Sequence, residues 1–191
     1  MFKKFTTAVF IILFIFICIT AIEYCKPKDR ESDLPVLKAN AFVGDQQCKS
    51  CHNNEFKDWQ LSDHFKAMQK PDDSTVLGNF NNATLTADGI SSRFFKKDGK
   101  FYINTQGDDG SNHDYEVKYT FGYFPLQQYL IEFPGGKMQA TRQSWDSREK
   151  KWFHQYPGQK IHYRDWLHWT GNAQNWNTMC AECHSTNLQK G

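Results

Sequence analysis

The sequence predicts an irregular α+β fold, in which short helices and loops flank an inserted antiparallel β-hairpin region. Two observations place the helices: the five-residue unit CxxCH occurs at residues 48–52 and again at 180–184, and apolar residues follow the first unit at helical spacing. A third observation places the strands, because residues 85–155 are β-prone runs broken by Gly and Pro. The 191 residues are enough for one domain of ordinary size.

Residues 1–24 are typical of a signal peptide or a membrane anchor. The basic start MFKK precedes an almost wholly apolar run at residues 8–22, and the polar residues 25–40 that follow are predicted to be a linker. Three fates stay open: cleavage, retention as an anchor, and lipid attachment at Cys25. Each of them places the body of the protein, residues 41–191, in the periplasm or another extracytoplasmic space, and the last two also attach it to a membrane.

The elements of the body follow in chain order. The spacing of Phe56 and Trp59 predicts a first helix, and Ser62 is predicted to be the N-cap of a second, short helix that carries His64 and Met68. Asp98-Gly99 lies between two β-prone runs, which is a strong signal for a tight hairpin. Further runs rich in Val, Tyr and Phe extend the β region. An aromatic-rich loop then leads to the start of another helix at the second CxxCH unit.

All four cysteines of the predicted body lie within the two CxxCH units. This motif is the attachment signature of c-type haem. Each thiol adds to a vinyl group of the porphyrin, and the adjacent histidine ligates the iron from below. The sequence therefore predicts haem-bearing helices with two covalently attached haems c and their iron. The predicted haem-binding residues are Cys48, Cys51, His52, Cys180, Cys183 and His184.

Other uses of paired cysteines explain the pattern less well. A four-cysteine zinc site has its pairs about 15–20 residues apart, far closer than these, and would leave the histidines unexplained. A thioredoxin-like pair belongs in a βαβ context, which neither unit has. A disulfide within each CxxC stays open for a chain to which haem has not been attached.

The second axial ligand of each iron separates a closed electron carrier from an open catalytic site. His64 is the strongest candidate, because it lies on a separate short helix after His52 and because Ser62 and Asp63 can cap that helix. His168, between Trp166 and Trp169, is a further candidate metal ligand, and a packed histidine explains it equally well. Met68 is favoured as a core residue. The remaining candidates, which the sequence does not rank, are His113, His154, His162 and Met138.

Charge and composition narrow the function. The near-balance of 23 Lys and Arg against 21 Asp and Glu argues against nucleic-acid binding. We expect electron transfer rather than enzymatic catalysis, with redox donor and acceptor proteins and the cytochrome c maturation machinery as partners. One alternative is a haem-dependent oxidoreductase that reduces or oxidises a small nitrogen or sulfur compound at an open iron. Another is a scaffold protein in which the haems are structural.

The sequence also resembles a known family. The stretch VGDQQCKSCHNNEFKDWQLSDHFKAM is similar to the opening of multihaem cytochromes c with a cytochrome c-552/4 domain. HDYEVKYTFGYFPLQQYLIEFPGGKMQA and LHWTGNAQNWNTMCAECHSTNL resemble multihaem cytochromes that carry tetratricopeptide repeats. The resemblance implies a multihaem electron carrier outside the cytoplasm, with His64 at the position of the distal histidine. Such cytochromes continue with a further CxxCH and helical repeats, so we expect this sequence to be an N-terminal portion.

Overall fold

The computed structural model of the chain describes residues 43–186 and Leu188. The predicted signal segment and linker, residues 1–24 and 25–40, lie outside the described residues. Within the described part, no helix is both long enough and apolar enough to cross a membrane.

An antiparallel sheet of nine strands dominates the described part of the chain. Its main path runs in the order β2-β3-β4-β5-β6-β8-β9, while β1 pairs with β5 and β7 pairs with β6. The strands are β1 (Met68–Gln69), β2 (Asn81–Ala87), β3 (Ile90–Lys97), β4 (Lys100–Gln106), β5 (Asn112–Phe121), β6 (Leu126–Phe133), β7 (Lys137–Ala140), β8 (Gln143–Asp146) and β9 (Lys151–His154).

The helices are short and lie at the two ends of the described chain. They are α1 (Gln46–Lys49), α2 (Asn53–Leu61), α3 (Asp63–Lys66), α4 (Trp176–Met179) and α5 (Ala181–His184), with a 3₁₀ turn at Asn172–Gln174. Only α2 is longer than four residues. Helices this short have little stability of their own, so contacts with the sheet must hold them.

Two tight turns set the register of β2, β3 and β4. Asp88-Gly89 joins β2 to β3, and Asp98-Gly99 joins β3 to β4. All four residues have positive φ, which is the conformation of a type I′ turn and the one that Asp-Gly adopts most readily. The hairpin predicted at Asp98-Gly99 is therefore confirmed.

The main core lies inside the curved sheet and is strongly aromatic. Phe94 and Ile103, which are cross-strand partners, are fully buried together with Tyr129. Phe80 packs edge-on against the rings of Phe101 and Tyr129, with centroids 5.2 Å away in both cases. Much of the aromatic content that the sequence left unassigned is therefore protein core.

Strand β9 packs against β3 and the residues just before β2, which nearly closes the sheet. Trp152 of β9 stacks on Phe94 of β3, with ring centroids 3.5 Å apart. Its indole Nε1 donates to the carbonyl of Asn79, just before β2, at 3.0 Å. At the other end of these strands, the backbone N–H of Gly158 donates to the Asp88 carboxylate at 3.0 Å.

The predicted fold class is wrong. The protein is mostly antiparallel β with a nearly closed sheet, rather than haem-bearing helices flanking a β-hairpin insertion. The hairpin is real, but it is one step of a sheet that runs from Met68 to His154. The prediction took the CxxCH segments as the main helical part of the fold. The fold is instead organised by the burial of β-branched and aromatic residues in the sheet.

Candidate haem sites

The two CxxCH units share one backbone hydrogen bond. The N–H of His52 donates to the carbonyl of Cys48 at 2.9 Å, and the N–H of His184 donates to the carbonyl of Cys180 at 3.1 Å. In both units the histidine is thereby held one helical turn beyond the first cysteine, next to the second. Two segments far apart in sequence thus present the same set of two thiols and one imidazole.

All four thiols of the units are free. Cys48, Cys51 and Cys183 are exposed, and Cys180 is half-buried. Burial, followed by the neighbouring thiol of Cys183, raises the pKa of Cys180. The exposed positions leave the sulfurs accessible for covalent attachment.

The first unit lies at the start of a small aromatic cluster. His52 is exposed and directly precedes α2, whose Phe56 is buried. The Trp59 ring lies 5.5 Å from that of Phe56 and 4.8 Å from that of Phe65 in α3. These contacts join α2 to α3 and so tie the first unit to the segment that carries His64.

The predicted cap of α3 is confirmed. The Ser62 hydroxyl accepts a hydrogen bond from the N–H of Phe65 at 3.3 Å, and Asp63 occupies the first turn. His64 lies on this helix and is exposed. Met68 was predicted on this helix but lies in strand β1, after the helix has ended. Its packing as a partly buried core residue agrees with the prediction.

The segment after α3 is fastened to the end of β5. Met68 is the register partner of Phe121, and the N–H of Gly122 donates to the carbonyl of Ala67 at 2.6 Å. Lys70 lies over the Tyr119 ring and donates to the Tyr119 hydroxyl at 2.8 Å. The His64 segment therefore has a fixed place against the sheet.

Asparagine side chains hold the second unit on β7. Asn175 caps α4 by accepting from the N–H of Thr178 at 3.2 Å. The amide of Asn177 accepts from the N–H of Met138 at 2.8 Å and donates to the carbonyl of Gly136 at 3.2 Å. These bonds place α4, and with it Cys180, on the edge of the sheet.

The second unit packs into its own apolar cluster. Ala181 and Trp176 are buried against Leu130 and Ala140, and Cys180 packs against the same cluster. Met68, Met138, Tyr119 and Phe121 complete it. The His184 ring lies edge-on to the ring of Phe121, with centroids 5.0 Å apart.

Phe121 therefore contacts both the second unit and the strand that follows the His64 helix. It pairs with Met68, which follows the first unit and His64, and its ring contacts His184 of the second unit. The sequence analysis missed this residue. No local signal distinguishes it from the other strand phenylalanines, because its role follows from which strands pair.

The residues present at both units fit c-type haem. Each offers two thiols separated by two residues, with an imidazole directly following, which is the donor set that haem c requires. Large apolar side chains lie exposed beside the units, Trp59 and Leu61 near the first and Met179 near the second. Exposed apolar side chains such as these suit packing against a porphyrin. The indole Nε1 of Trp176 is buried without a hydrogen-bond partner in the described part of the chain.

The other candidate histidines lie elsewhere in the fold. His113 is on β5, and its Nε2 lies 2.9 Å from the carboxylate of Asp109 in the preceding turn. His154, His162 and His168 line a separate cavity, which is described below. His168 is buried there, and its Nδ1 lies 2.8 Å from the Thr170 hydroxyl. Among the candidate ligands outside the CxxCH units, His64 lies on α3, which packs against the helix that follows the first unit, and Met68 and Met138 pack in the apolar cluster of the second unit.

Comparison with known proteins gives one family. Residues 47–89 match the family described as cytochrome c554 and c-prime. The match includes the first CxxCH unit, His64 and Met68, and it supports a c-type cytochrome with covalently bound haem and electron transfer as its general function. Comparison with curated proteins and with solved structures finds no match.

Proposed function

We propose that this chain is an electron-transfer protein that carries two covalent c-type haems outside the cytoplasm. The observation that carries the proposal is the repeated CxxCH unit: in both copies the histidine N–H donates to the carbonyl of the first cysteine, next to two free thiols. Strand β5 links the two copies, because it pairs with the strand that follows His64 and its Phe121 ring contacts His184. The haem iron supplies the one-electron chemistry by cycling between the ferric and ferrous states.

The residues of the chain have separate roles in this proposal. Cys48 and Cys51 attach one haem, and Cys180 and Cys183 attach the other. His52 and His184 are the proximal ligands. His64 is the distal ligand of one iron, because α3 is capped and packs against α2, the helix that follows the first unit. His168 is not an iron ligand in this proposal, because its contacts lie within the separate cavity.

The alternative of a haem-dependent oxidoreductase gains no support from the described residues. The group of His, Arg and Tyr side chains that a catalytic site would need does exist, but it lines the separate cavity. No side chain of either CxxCH unit lines that cavity.

Location and partners follow from the haem chemistry and from the N-terminal sequence. The apolar run at residues 8–22 supports export, and covalent haem attachment then requires the maturation machinery of that compartment. Protein redox donors and acceptors complete the proposed partners, and the exposed Trp59 and Leu61 would lie close to their docking surface.

The haem number is tested by removing one pair of thiols at a time. The exported chain, the Cys48→Ala/Cys51→Ala variant and the Cys180→Ala/Cys183→Ala variant are compared by pyridine haemochrome absorbance per chain. Each double variant should retain half of the haem of the unchanged chain. A variant that keeps all of it would show that its unit does not attach haem, and the absence of a c-type band in the unchanged chain would refute the proposal.

A further inference from the structure

A cavity of about 410 Å³ lies away from the candidate haem sites. Its walls come from β2, β3, β4 and β8 and from the loop that follows β9. Its volume lies within the range of sites that hold small organic molecules. The turn at Asp88-Gly89 forms one rim, and Lys160 and Tyr163 belong to the opposite loop.

The cavity wall contains an arginine whose charge is not paired. Arg142 is only 6% exposed. The single hydrogen bond that its guanidinium makes within the described residues runs from Nη2 to the carbonyl of Leu167, and its Nε is enclosed without a partner. No carboxylate of the described chain forms an ion pair with it. Asp88 and Asp165 offset the burial of this charge only from beyond ion-pair distance, and the Tyr156 ring centroid lies 5.4 Å from its Cζ. A buried cation without a directly paired counter-charge is costly, so a bound anion in contact with it would relieve the cost.

The other charged side chains of the wall do not neutralise Arg142, so the charge balance favours one negative ligand. Asp88 is the only carboxylate among the lining residues, and the N–H of Gly158 already donates to it at 3.0 Å. Lys160 adds a second positive charge on the exposed loop. His168 adds none near neutral pH, because burial and the adjacent Arg142 hold the pKa of its imidazole at about 4.

The rest of the wall is suited to an apolar body. Leu85, Ile90 and Ile161 line the cavity, and the buried ring of Trp169 closes part of it. The Trp169 indole Nε1 donates to the carbonyl of Gln106 at 2.7 Å, which fixes the ring in place. A small inorganic oxyanion would pair with Arg142 but would leave these side chains uncovered.

We propose that this cavity binds a small organic carboxylate, with the carboxylate on the guanidinium of Arg142 and the apolar body against Leu85, Ile90 and Trp169. A guanidinium presents N–H donors in a planar fork that matches the two oxygens of a carboxylate. The site is independent of the haem function proposed above and can be tested whatever the haem content of the chain.

Benzoate is a suitable probe, because it combines a carboxylate with a flat apolar ring. The exported full-length chain is titrated with benzoate by calorimetry near neutral pH, and the absorption spectrum is recorded at each step to detect benzoate on a haem iron. Benzamide, which keeps the ring without the charge, and nitrate, which keeps the charge without the ring, are titrated in parallel. Benzoate should bind at least about tenfold more tightly than either, without a change in the Soret band.

Variants assign the binding to this cavity. Arg142→Gln should weaken benzoate binding by about tenfold or more, and Arg142→Lys should give an intermediate affinity because the charge remains and the fork is lost. Ala87→Phe, which fills the cavity from β2, should also abolish binding. The control is Arg148→Gln, because Arg148 lies on the turn after β8 and over the Phe124 ring, outside the cavity. Near-ultraviolet circular dichroism confirms that each variant is folded.

Several outcomes would overturn the proposal. Benzoate that fails to bind at up to about 10 mM, or that binds Arg142→Gln as tightly as the unchanged chain, would remove the assigned site. Equal binding of benzamide would show that the cavity selects for shape rather than charge. Equal binding of nitrate would show an inorganic oxyanion site, and a Soret shift that accompanies benzoate binding would place the ligand on a haem.

Discussion

At the scale of single residues, the donor side chains of the candidate sites lie on the surface and the side chains that position them are packed. His52, His64 and His184 are exposed, while Phe56, Trp176 and Ala181 beside them are buried. The imidazole nitrogen that binds an iron must be free of other partners, and the residue must be held so that this nitrogen reaches the iron in one geometry. The buried neighbours supply that second condition.

We predict that His64→Ala opens one iron. The reduced unchanged chain should show little change in its Soret band on addition of carbon monoxide, whereas His64→Ala should show a clear shift, because an iron that loses its distal ligand can bind an added one. His64→Met should stay closed and raise the reduction potential of that haem. His113→Ala is the matched control, because the His113 ring contacts the Asp109 carboxylate rather than the elements beside the CxxCH units. An unaltered response of His64→Ala would exclude His64 as a ligand.

A second prediction at this scale concerns the aromatic core. Phe94 is fully buried and stacks on Trp152, so Phe94→Ala should lower the free energy of unfolding by about 3–5 kcal/mol. Phe124→Ala is the matched control, because that ring is half exposed and its removal should cost far less. Denaturant unfolding of both variants tests the difference. Similar losses would mean that Phe94 is not central to the core.

At the scale of elements, the turns decide how the strands pair. Gly99 has φ +73°, and a Cβ built on it would meet no atom within 4 Å. Any cost of a side chain at this position is therefore backbone strain rather than a clash.

We predict that Gly99→Val destabilises the β3–β4 hairpin much more than Gly99→Asn. A β-branched residue adopts positive φ poorly, which should cost about 1–2 kcal/mol, whereas Asn tolerates this conformation. Thermal unfolding of the two variants measures the difference. Equal melting temperatures would show that the turn does not control the stability of the hairpin.

The short helices depend on elements distant in sequence. Four residues cannot form a stable helix alone, so α3 is held by β1 against β5, and α4 by Asn177 against β7. Local sequence predicts where such helices begin, as Ser62 shows, but their position depends on the sheet. The candidate haem sites are therefore products of strand pairing as much as of the CxxCH motif.

At the scale of the whole molecule, the nearly closed sheet separates two regions with different chemistry. The second candidate haem site and the strand that follows His64 contact the end of β5, whereas the cavity with Arg142 and His168 lies at the β2–β3 turn and the loop after β9. Burial holds the pKa of His168 at about 4 and also lowers that of His154. Both imidazoles are thus neutral in the folded protein near pH 7.

This burial predicts a loss of stability on acidification. Between a pH of about 6.5 and about 4 the unfolded chain binds a proton at His168 that the folded protein does not bind. The free energy of unfolding should therefore fall as pH falls through this window, by up to about 3 kcal/mol from His168. Denaturant unfolding across the window measures it.

The matched variants for this prediction are His168→Gln and Thr170→Val. His168→Gln removes the titrating group, so its stability should depend less on pH than that of the unchanged chain. Thr170→Val removes the hydroxyl that contacts Nδ1 and keeps the imidazole, so the dependence should persist. If all three chains lose stability equally, His168 is not the group that titrates.

The sequence by itself determined the features that depend on neighbouring residues. The CxxCH units, the cap at Ser62 and the hairpin at Asp98-Gly99 could all be predicted, because covalent spacing, capping and turn conformation act over a few residues. The assignment of His64 as the distal ligand stays a prediction.

The tertiary structure decided the rest. The fold class was predicted wrongly, because the pairing of β1 with β5 and the return of β9 toward β2 join segments about fifty residues or more apart, and such contacts depend on which surfaces are buried together. For the same reason, the contacts of Phe121 with Met68 and His184 and the placement of Arg142 beside His168 could not be predicted from local patterns. A local motif determines the chemistry of its own residues, whereas the packing of the whole sheet determines which other residues lie next to it.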